Sequence, residues 1–309
     1  MDRRRFIINT SLGSSAFMFF PSLLRGVSLY SGSFSKRNGT IWGLTPISVI
    51  DNACLIAFRS GKLSRASQQS VTTDIHLRDT PGNKGRLAVV LPPLDKKLSE
   101  LLRKVKEGHK IKHPAEKRAI AFGWIAVNAV EKQINEAMKD LSPEEFRSAR
   151  MHQDALLIQS FSEAEDSKGG RPDPRQVENL LNTMQVRTIT RSHTLKPDSD
   201  DGIGWVNRIS RWRRENNALM KEYAEAIVNP DASRAGEDFL SNEDPLVIMA
   251  NALQRGDHVT DREIKELGDQ PAVSMYGKAL FFAVEHILLT DRYFRDVVSL
   301  SELEPVLLA

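Results

Sequence analysis

The stretch Ala119–Val130 reads AIAFGWIAVNAV and is apolar on every side when it is drawn as a helix. A helix that is apolar all round belongs in the interior of a fold. We therefore predict a long central helix from Pro114 to Leu141. A second stretch, Ala279–Leu289 (ALFFAVEHILL), is also apolar on nearly every side and lies in a predicted helix from Pro271 to Val298. The two stretches indicate a mainly α, multi-helix globule with two central apolar helices.

Shorter helices are predicted around these two because apolar residues recur at helical spacing and capping signals flank them. Ser142 and Glu145 form a capping box with Pro143 at the first helical position, which starts a third helix ending near Phe161. The other predicted helices have the following limits: Leu98 to Gly108, Val177 to Met184, Ile203 to Asn229, Pro245 to Gly256 and Thr260 to Gly268.

Residues 34–95 carry a weaker pattern. The apolar stretch Ile41–Phe58 is interrupted by Pro46 and Asp51, so we predict two core segments around a turn. Short runs at 71–77 and 86–91 are candidate strands, with a Pro-Gly turn signal between them. This part is expected to be irregular or β-containing and to pack on the helical body.

Three regions follow from these patterns. Residues 1–33 are a candidate export signal, residues 34–95 form the small N-terminal segment, and residues 96–309 form the helical domain. A polar loop at 164–174 is a candidate boundary inside the helical domain. No repeat of fixed period divides the chain further.

The charge of the chain comes from its N-terminus. The formal net charge is +3, but residues 1–33 contain Arg3, Arg4, Arg5 and Arg25 against Asp2, and the rest of the chain has equal numbers of acidic and basic residues. A charge-neutral body does not indicate binding to nucleic acid. The single cysteine, Cys54, also excludes an intramolecular disulfide and a thiolate-rich metal site.

The first residues combine a basic head with a modestly apolar stretch from Phe6 to Leu24, which is the layout of an export signal. Arg3-Arg4-Arg5-Phe6 is followed by two isoleucines and resembles the twin-arginine signal pattern, with Asp2 where Ser or Thr is usual. The resemblance implies that the twin-arginine translocation machinery carries the folded chain to the periplasm, with only transient membrane contact through the signal. An ordinary basic N-terminus of a cytosolic chain and a short uncleaved anchor are the alternatives.

Four polar residues on the two apolar helices form a candidate ligand-binding site: Asn128, Glu131, Glu285 and His286. If the helices pack together, these side chains can meet and bind a cofactor or move a proton. In the structural alternative, Glu285 faces Arg292 or a helix terminus and His286 forms a hydrogen bond to a carbonyl group.

Metal-binding patterns are weak in this sequence. A ferritin-like di-iron site needs Glu-x-x-His pairs, and the sequence contains none. His109 and His113 have the spacing of a helical metal pair, but Gly108 and Pro114 place them in a turn between helices. We therefore assign no metal site.

Basic residues cluster in two segments and suggest an anion-binding surface. Lys104 and Lys110 lie in the first, and Arg211 and Arg214 in the second, beside Trp212. Phosphates, anionic lipid or an acidic partner would suit them. Solvated helix faces are the alternative explanation.

These observations favour an exported, non-catalytic helical protein of the bacterial cell envelope that binds a partner, such as a larger envelope enzyme. The alternative is a cofactor- or metal-binding enzyme with a polar site between the two apolar helices. The sequence does not define a cofactor.

Overall fold

The computed structural model describes residues 44–71, 95–108, 114–163 and 220–304, apart from the single positions 237, 242, 256, 258 and 269. Within these ranges the chain is mainly α, as predicted, with ten α-helices, one 3-10 helix and no strand. The helices are α1 (Leu44–Arg59), α2 (Arg65–Val71), α3 (Asp95–Glu107), α4 (Pro114–Ala137), α5 (Pro143–Glu163), α6 (Met220–Val228), α7 (Ala232–Ala235), α8 (Pro245–Arg255), α9 (Asp261–Gly268), α10 (Met275–Phe294) and the 3-10 helix Leu300–Leu303.

Helix α4 lies at the centre of the fold. Its residues 121–131 are all buried, and α10, α1, α2 and α3 pack around it. An amphipathic helix would expose one face, whereas the all-round apolarity of this segment suits contact on every side. The two apolar helices, α4 and α10, pack against each other, which meets the condition set for a polar site between them. Helix α10 has one open face, where Glu285 is exposed.

The prediction of two segments around a turn in Ile41–Phe58 is wrong, because α1 runs unbroken from Leu44 to Arg59. Pro46 is the third helical residue, where a backbone N–H has no intrahelical acceptor to lose. Asp51 is half-buried and leaves the helix intact. Helix α1 packs against α4 and α10, so this part of the N-terminal segment belongs to the core.

Local capping explains where several helices begin. The predicted capping box before α5 is present, since Ser142 N–H donates to Glu145 Oε2 at 2.9 Å and Glu145 N–H donates to Ser142 Oγ at 3.3 Å. The predicted box before α9 is also present, with Thr260 N–H donating to Glu263 Oε2 at 2.7 Å. Such reciprocal bonds satisfy backbone donors that a helix N-terminus leaves free.

The two long apolar helices are shorter than predicted, and in α10 capping residues mark both ends. Helix α4 stops at Ala137, ahead of the turn that leads to Ser142. Helix α10 begins after Ser274, whose Oγ accepts from Gly277 N–H at 2.9 Å. It ends in a Schellman-type turn at Asp296, which has a positive φ of 61°.

A buried carboxylate fixes the start of α10. Asp244 Oδ2 accepts from the N–H groups of Val273 and Ser274 at 2.9 and 2.8 Å, and its Oδ1 accepts from Leu246 N–H at 3.0 Å. Gly277 lies so close that a Cβ at this position would come 2.1 Å from Asp244 Oδ2. The N-termini of α8 and α10 are therefore joined through one side chain.

Several predictions fall outside the described residues. They include most of the candidate strand at 71–77, the whole strand at 86–91, the loop at 164–174, the helix from Val177 to Met184 and most of the helix that ends at Asn229. Of that last helix, the structure gives α6. In the part of the chain that the structure describes, no helix is long and apolar enough to cross a membrane.

Candidate functional site

The structure separates the two carboxylates of the predicted ligand-binding site. Asn128 and Glu131 are buried on α4 and His286 is buried on α10, whereas Glu285 is exposed. Glu131 turns to α5, where its Oε1 accepts from Arg150 Nη2 at 3.0 Å. The side chains of this ion pair are only 6% and 5% exposed. Glu131 and Glu285 therefore do not share a site.

His286 binds within its own helix, as the structural alternative predicted. Its Nδ1 lies 2.8 Å from the carbonyl oxygen of Phe282, and a carbonyl only accepts, so Nδ1 carries the hydrogen. The imidazole also packs on the Phe282 ring at 4.0 Å between centroids. Burial lowers the pKa of His286, and Lys132 lowers it further, against opposing effects of the Phe282 carbonyl and Glu285. The ring is therefore neutral at pH 7.

Metal ligation gains no support from this region. No group of three or more His, Cys, Asp or Glu side chains that could hold a metal ion occurs among the described residues.

Two basic residues of α3, Lys104 and Lys106, form ion pairs within the described part of the chain. Lys104, one of the predicted anion-binding residues, forms an exposed ion pair with Glu100 at 2.6 Å. Lys106 binds Asp296 at 2.7 Å and lies over the Tyr293 ring. The other predicted anion-binding residues (Lys110, Arg211 and Arg214) and the signal residues (Arg3, Arg4 and Phe6) lie outside the described residues.

A cluster of polar residues that sequence reasoning missed lies in the middle of α5. Residues 149–155 read ARMHQDA, and all seven are buried. Four of them are polar, and each is bound to a different neighbour. We call Arg150, His152, Gln153 and Asp154 the polar segment of α5. Arg150 reaches α4, as described above.

Asp154 joins α5 to α1 and α6. Its Oδ1 accepts from Thr45 N–H at 2.7 Å and from Thr45 Oγ1 at 2.5 Å, and its Oδ2 accepts from the Tyr223 hydroxyl. Burial raises the pKa of Asp154, against the opposing effects of Arg150, Thr45 and Tyr223. Burial and the adjacent Asp154 likewise raise the pKa of Tyr223. The Tyr223 hydroxyl therefore stays protonated and acts as a donor.

His152 and Gln153 join α5 to the segment around α7. His152 Nδ1 accepts from Asp231 N–H at 2.9 Å. Gln153 Nε2 donates to the carbonyl of Ala235 at 3.1 Å. Asp231 caps the start of α7 and Ala235 is its last residue, so the two bonds hold both ends of this short helix.

Each residue of the polar segment has at least one protein partner, but the segment is not fully satisfied. Two of its atoms, Arg150 Nη1 and Gln153 Oε1, are buried without a hydrogen-bond partner in the described part of the chain. An unpaired buried polar atom costs about 1–3 kcal/mol, so most such atoms in proteins find partners.

A surface pocket of about 440 Å³ lies beside the polar segment, between α5, α6 and α7. His152 is the member of the polar segment that lines it. The other lining residues are charged residues of both signs, two polar residues and two apolar ones: Glu144, Arg147, Glu222, Glu225 and Arg234, then Ser148 and Asn229, then Met151 and Ala226.

The comparisons with known proteins give no match. No family model fits the chain, and neither a curated protein nor a solved structure is significantly similar to it. The functional interpretation therefore depends on the residues and their geometry.

Proposed function

We propose that the chain is an exported helical protein of the bacterial cell envelope that binds a partner and does not catalyse a reaction. In this proposal the twin-arginine machinery carries it to the periplasm in a folded state. The partner is a protein, such as a larger envelope enzyme, and the membrane is contacted only during export.

The observation that carries this proposal is that buried ionisable side chains in the helical core bind other side chains of the protein. Glu131 binds Arg150, and Asp154 binds Thr45 and Tyr223, all within the helical core. A catalytic acid or base must reach its substrate, directly or through one water. Side chains that are enclosed and bound to one another suit a structural role better.

An exposed apolar pair supports the partner-binding part. Ile248 is 48% exposed and Val273 is 62% exposed. The backbone N–H groups of both residues donate to Asp244, that of Ile248 to the carbonyl oxygen at 3.0 Å and that of Val273 to Oδ2 at 2.9 Å. Single exposed apolar residues are ordinary on a protein surface, whereas two whose backbones bind the same residue mark one corner of the fold as more apolar. We infer that this corner of the fold contacts the partner.

Export is tested by cell fractionation of the native host. Replacing both Arg3 and Arg4 by lysine should leave the full-length chain in the cytoplasm, because the twin-arginine signal requires the arginine pair. Arg25→Lys is the matched control, since it makes the same change at the end of the apolar stretch. Equal export of the double variant and the control would contradict the export part of the proposal.

Partner binding is tested by purification from the periplasmic fraction. One identified protein should elute with the wild-type chain in a fixed ratio and be lost with Ile248→Asp. Val297→Asp is the matched control because Val297 is 56% exposed and lies beyond the end of α10. The partner-binding proposal is wrong if no protein elutes with the wild type, and the assigned corner is wrong if Ile248→Asp retains the partner.

A further inference from the structure

The short helix α7 is hydrogen-bonded to α5 at both ends, and the two hydrogen bonds use different side-chain groups. At the first end, His152 accepts from Asp231 N–H at 2.9 Å. At the other end, Gln153 donates to Ala235 O at 3.1 Å. An imidazole changes its charge between pH 5 and 8, whereas an amide side chain does not. Only the hydrogen bond of His152 can therefore depend on pH in this range.

The geometry fixes the tautomer of His152. A backbone N–H can only donate, so the Nδ1 atom that faces Asp231 must present its lone pair. The neutral ring then carries its hydrogen on Nε2. Protonation places a second hydrogen on Nδ1, opposite the N–H of Asp231, and two donors cannot bind each other. The bond is lost whenever His152 becomes charged.

The surroundings of His152 oppose the charged form. His152 is only 7% exposed. Burial is the main cause that lowers its pKa, Asp231 opposes this effect, and Arg234 adds to it. The Asp231 carboxylate is also engaged elsewhere, since Oδ1 accepts from Ser233 N–H at 3.1 Å and Oδ2 pairs with Arg234 at 3.4 Å. The charged residues that line the pocket together with His152 come from three helices: Glu144 and Arg147 of α5, Glu222 and Glu225 of α6, and Arg234 of α7.

We propose that His152 is a proton-sensitive clamp that holds the start of α7 against α5 at neutral pH and releases it in acid. Release widens the pocket between α5, α6 and α7, because His152 and Arg234 both line it. Gln153 keeps the far end of α7 in place, so the movement is a local opening. A His whose folded-state pKa is lowered stabilises the closed form above its ordinary pKa, and this contribution is lost as the pH falls below that value.

Hydrogen exchange of the full-length chain tests the clamp. The protection factor of the Asp231 amide, corrected for the intrinsic effect of pH, is compared at pH 7.5 and pH 5.5. We expect it to fall at pH 5.5 by up to about tenfold, which is the limit for an open state with a His pKa of about 6.5. Unchanged protection would overturn the proposal.

Two variants separate the clamp from general loosening. The substitution His152→Asn places an amide oxygen near the position of Nδ1 and removes the titrating ring, so protection in this variant should be equal at both pH values. Gln153→Leu removes the bond to Ala235 and should lower protection by the same factor at both pH values. Persistent pH dependence in His152→Asn would assign the effect to another group.

If the variants do not fold, a measurement on the wild-type chain tests the tautomer of His152 that the proposal requires. Nitrogen chemical shifts report which ring nitrogen carries the hydrogen. At pH 7.5 we expect His152 in the Nε2–H form, and an Nδ1–H form would overturn the proposal.

Discussion

Two buried segments of the fold differ in their side chains. In α4, residues 121–131 are mostly apolar, and the helix packs against four neighbouring helices. In α5, residues 149–155 include four polar side chains, which are buried beside the groups that bind them. All residues of both segments are buried, although His152 and Met151 of the second also line the surface pocket. The first is stabilised by contacts that any apolar neighbour of suitable shape can supply. The second depends on particular donors and acceptors, such as Glu131, Thr45, Asp231 and Ala235.

This difference shows that apolar and polar side chains contribute to the stability of one fold in different ways when they are buried. Apolar burial contributes about 25 cal/mol per Å² and tolerates exchange among similar side chains. A buried polar group has a small net benefit when bound and a large cost when its partner is removed. Substitutions in the polar segment should therefore cost more than substitutions of similar size in the apolar segment.

The largest effect is expected for Arg150→Met, which leaves Glu131 buried without its partner. Breaking a buried ion pair from one side costs about 3–5 kcal/mol of unfolding free energy. Urea denaturation of the variant and the wild type measures the difference. Met is chosen because it fills much of the same space.

Arg147→Met is the matched control for this change. Arg147 lies one turn earlier in α5, is half-buried, and has no ion-pair partner among the described residues. A substitution away from buried pairs should change stability by less than about 0.5 kcal/mol. Equal losses in the two variants would show that the polar segment is not held by its ion pair.

A smaller effect is expected in the pH dependence of Asp154. Burial raises its pKa, so the folded state keeps the proton that the unfolded state releases near its ordinary pKa of about 3.9. The stability of the wild type should therefore fall relative to Asp154→Asn as the pH rises from 4 to 7. The change is about 1.4 kcal/mol for each unit of pKa shift.

The comparison with the Asn variant cancels the titration of other groups. Urea denaturation of both proteins at several pH values measures the difference between their unfolding free energies. If the wild type instead gains stability relative to Asp154→Asn as the pH rises, the bonds from Thr45 and Tyr223 outweigh burial, and the assigned direction is wrong.

The smallest effect is expected in the apolar segment. Ile125 is fully buried on α4, and Ile125→Val removes one methylene group at a cost of about 1 kcal/mol. Ile248→Val, at a position that is 48% exposed, is the control and should change stability by less than about 0.5 kcal/mol. A loss with Ile125→Val as large as that with Arg150→Met would remove the distinction between the two segments.

Much of the described fold was predictable from local sequence signals. The central position of α4 follows from its apolar composition, and α5 and α9 begin at capping boxes that the sequence displays. The unbroken course of α1 was not predicted, because Pro46 interrupts a helix only outside its first turn, and the sequence does not mark where that turn lies.

The polar segment of α5 could not be predicted for a physical reason. Its partners are distant in the chain, with Thr45 and Tyr223 lying 109 and 69 residues from Asp154. The run ARMHQDA reads as a polar helix surface, because burial of such residues depends on tertiary contacts. For Glu131 the sequence indicated a buried group that needs a partner, but it did not reveal that the partner is Arg150.

The double-mutant cycle of Glu131 and Arg150 tests the central claim most directly. Urea denaturation gives the unfolding free energies of the wild type, Glu131→Leu, Arg150→Met and the double variant. The account predicts that the double variant loses at least about 2 kcal/mol less than the sum of the two single losses, because neither charge is left alone. Losses that add within about 0.5 kcal/mol would contradict it, since independent sites behave in that way.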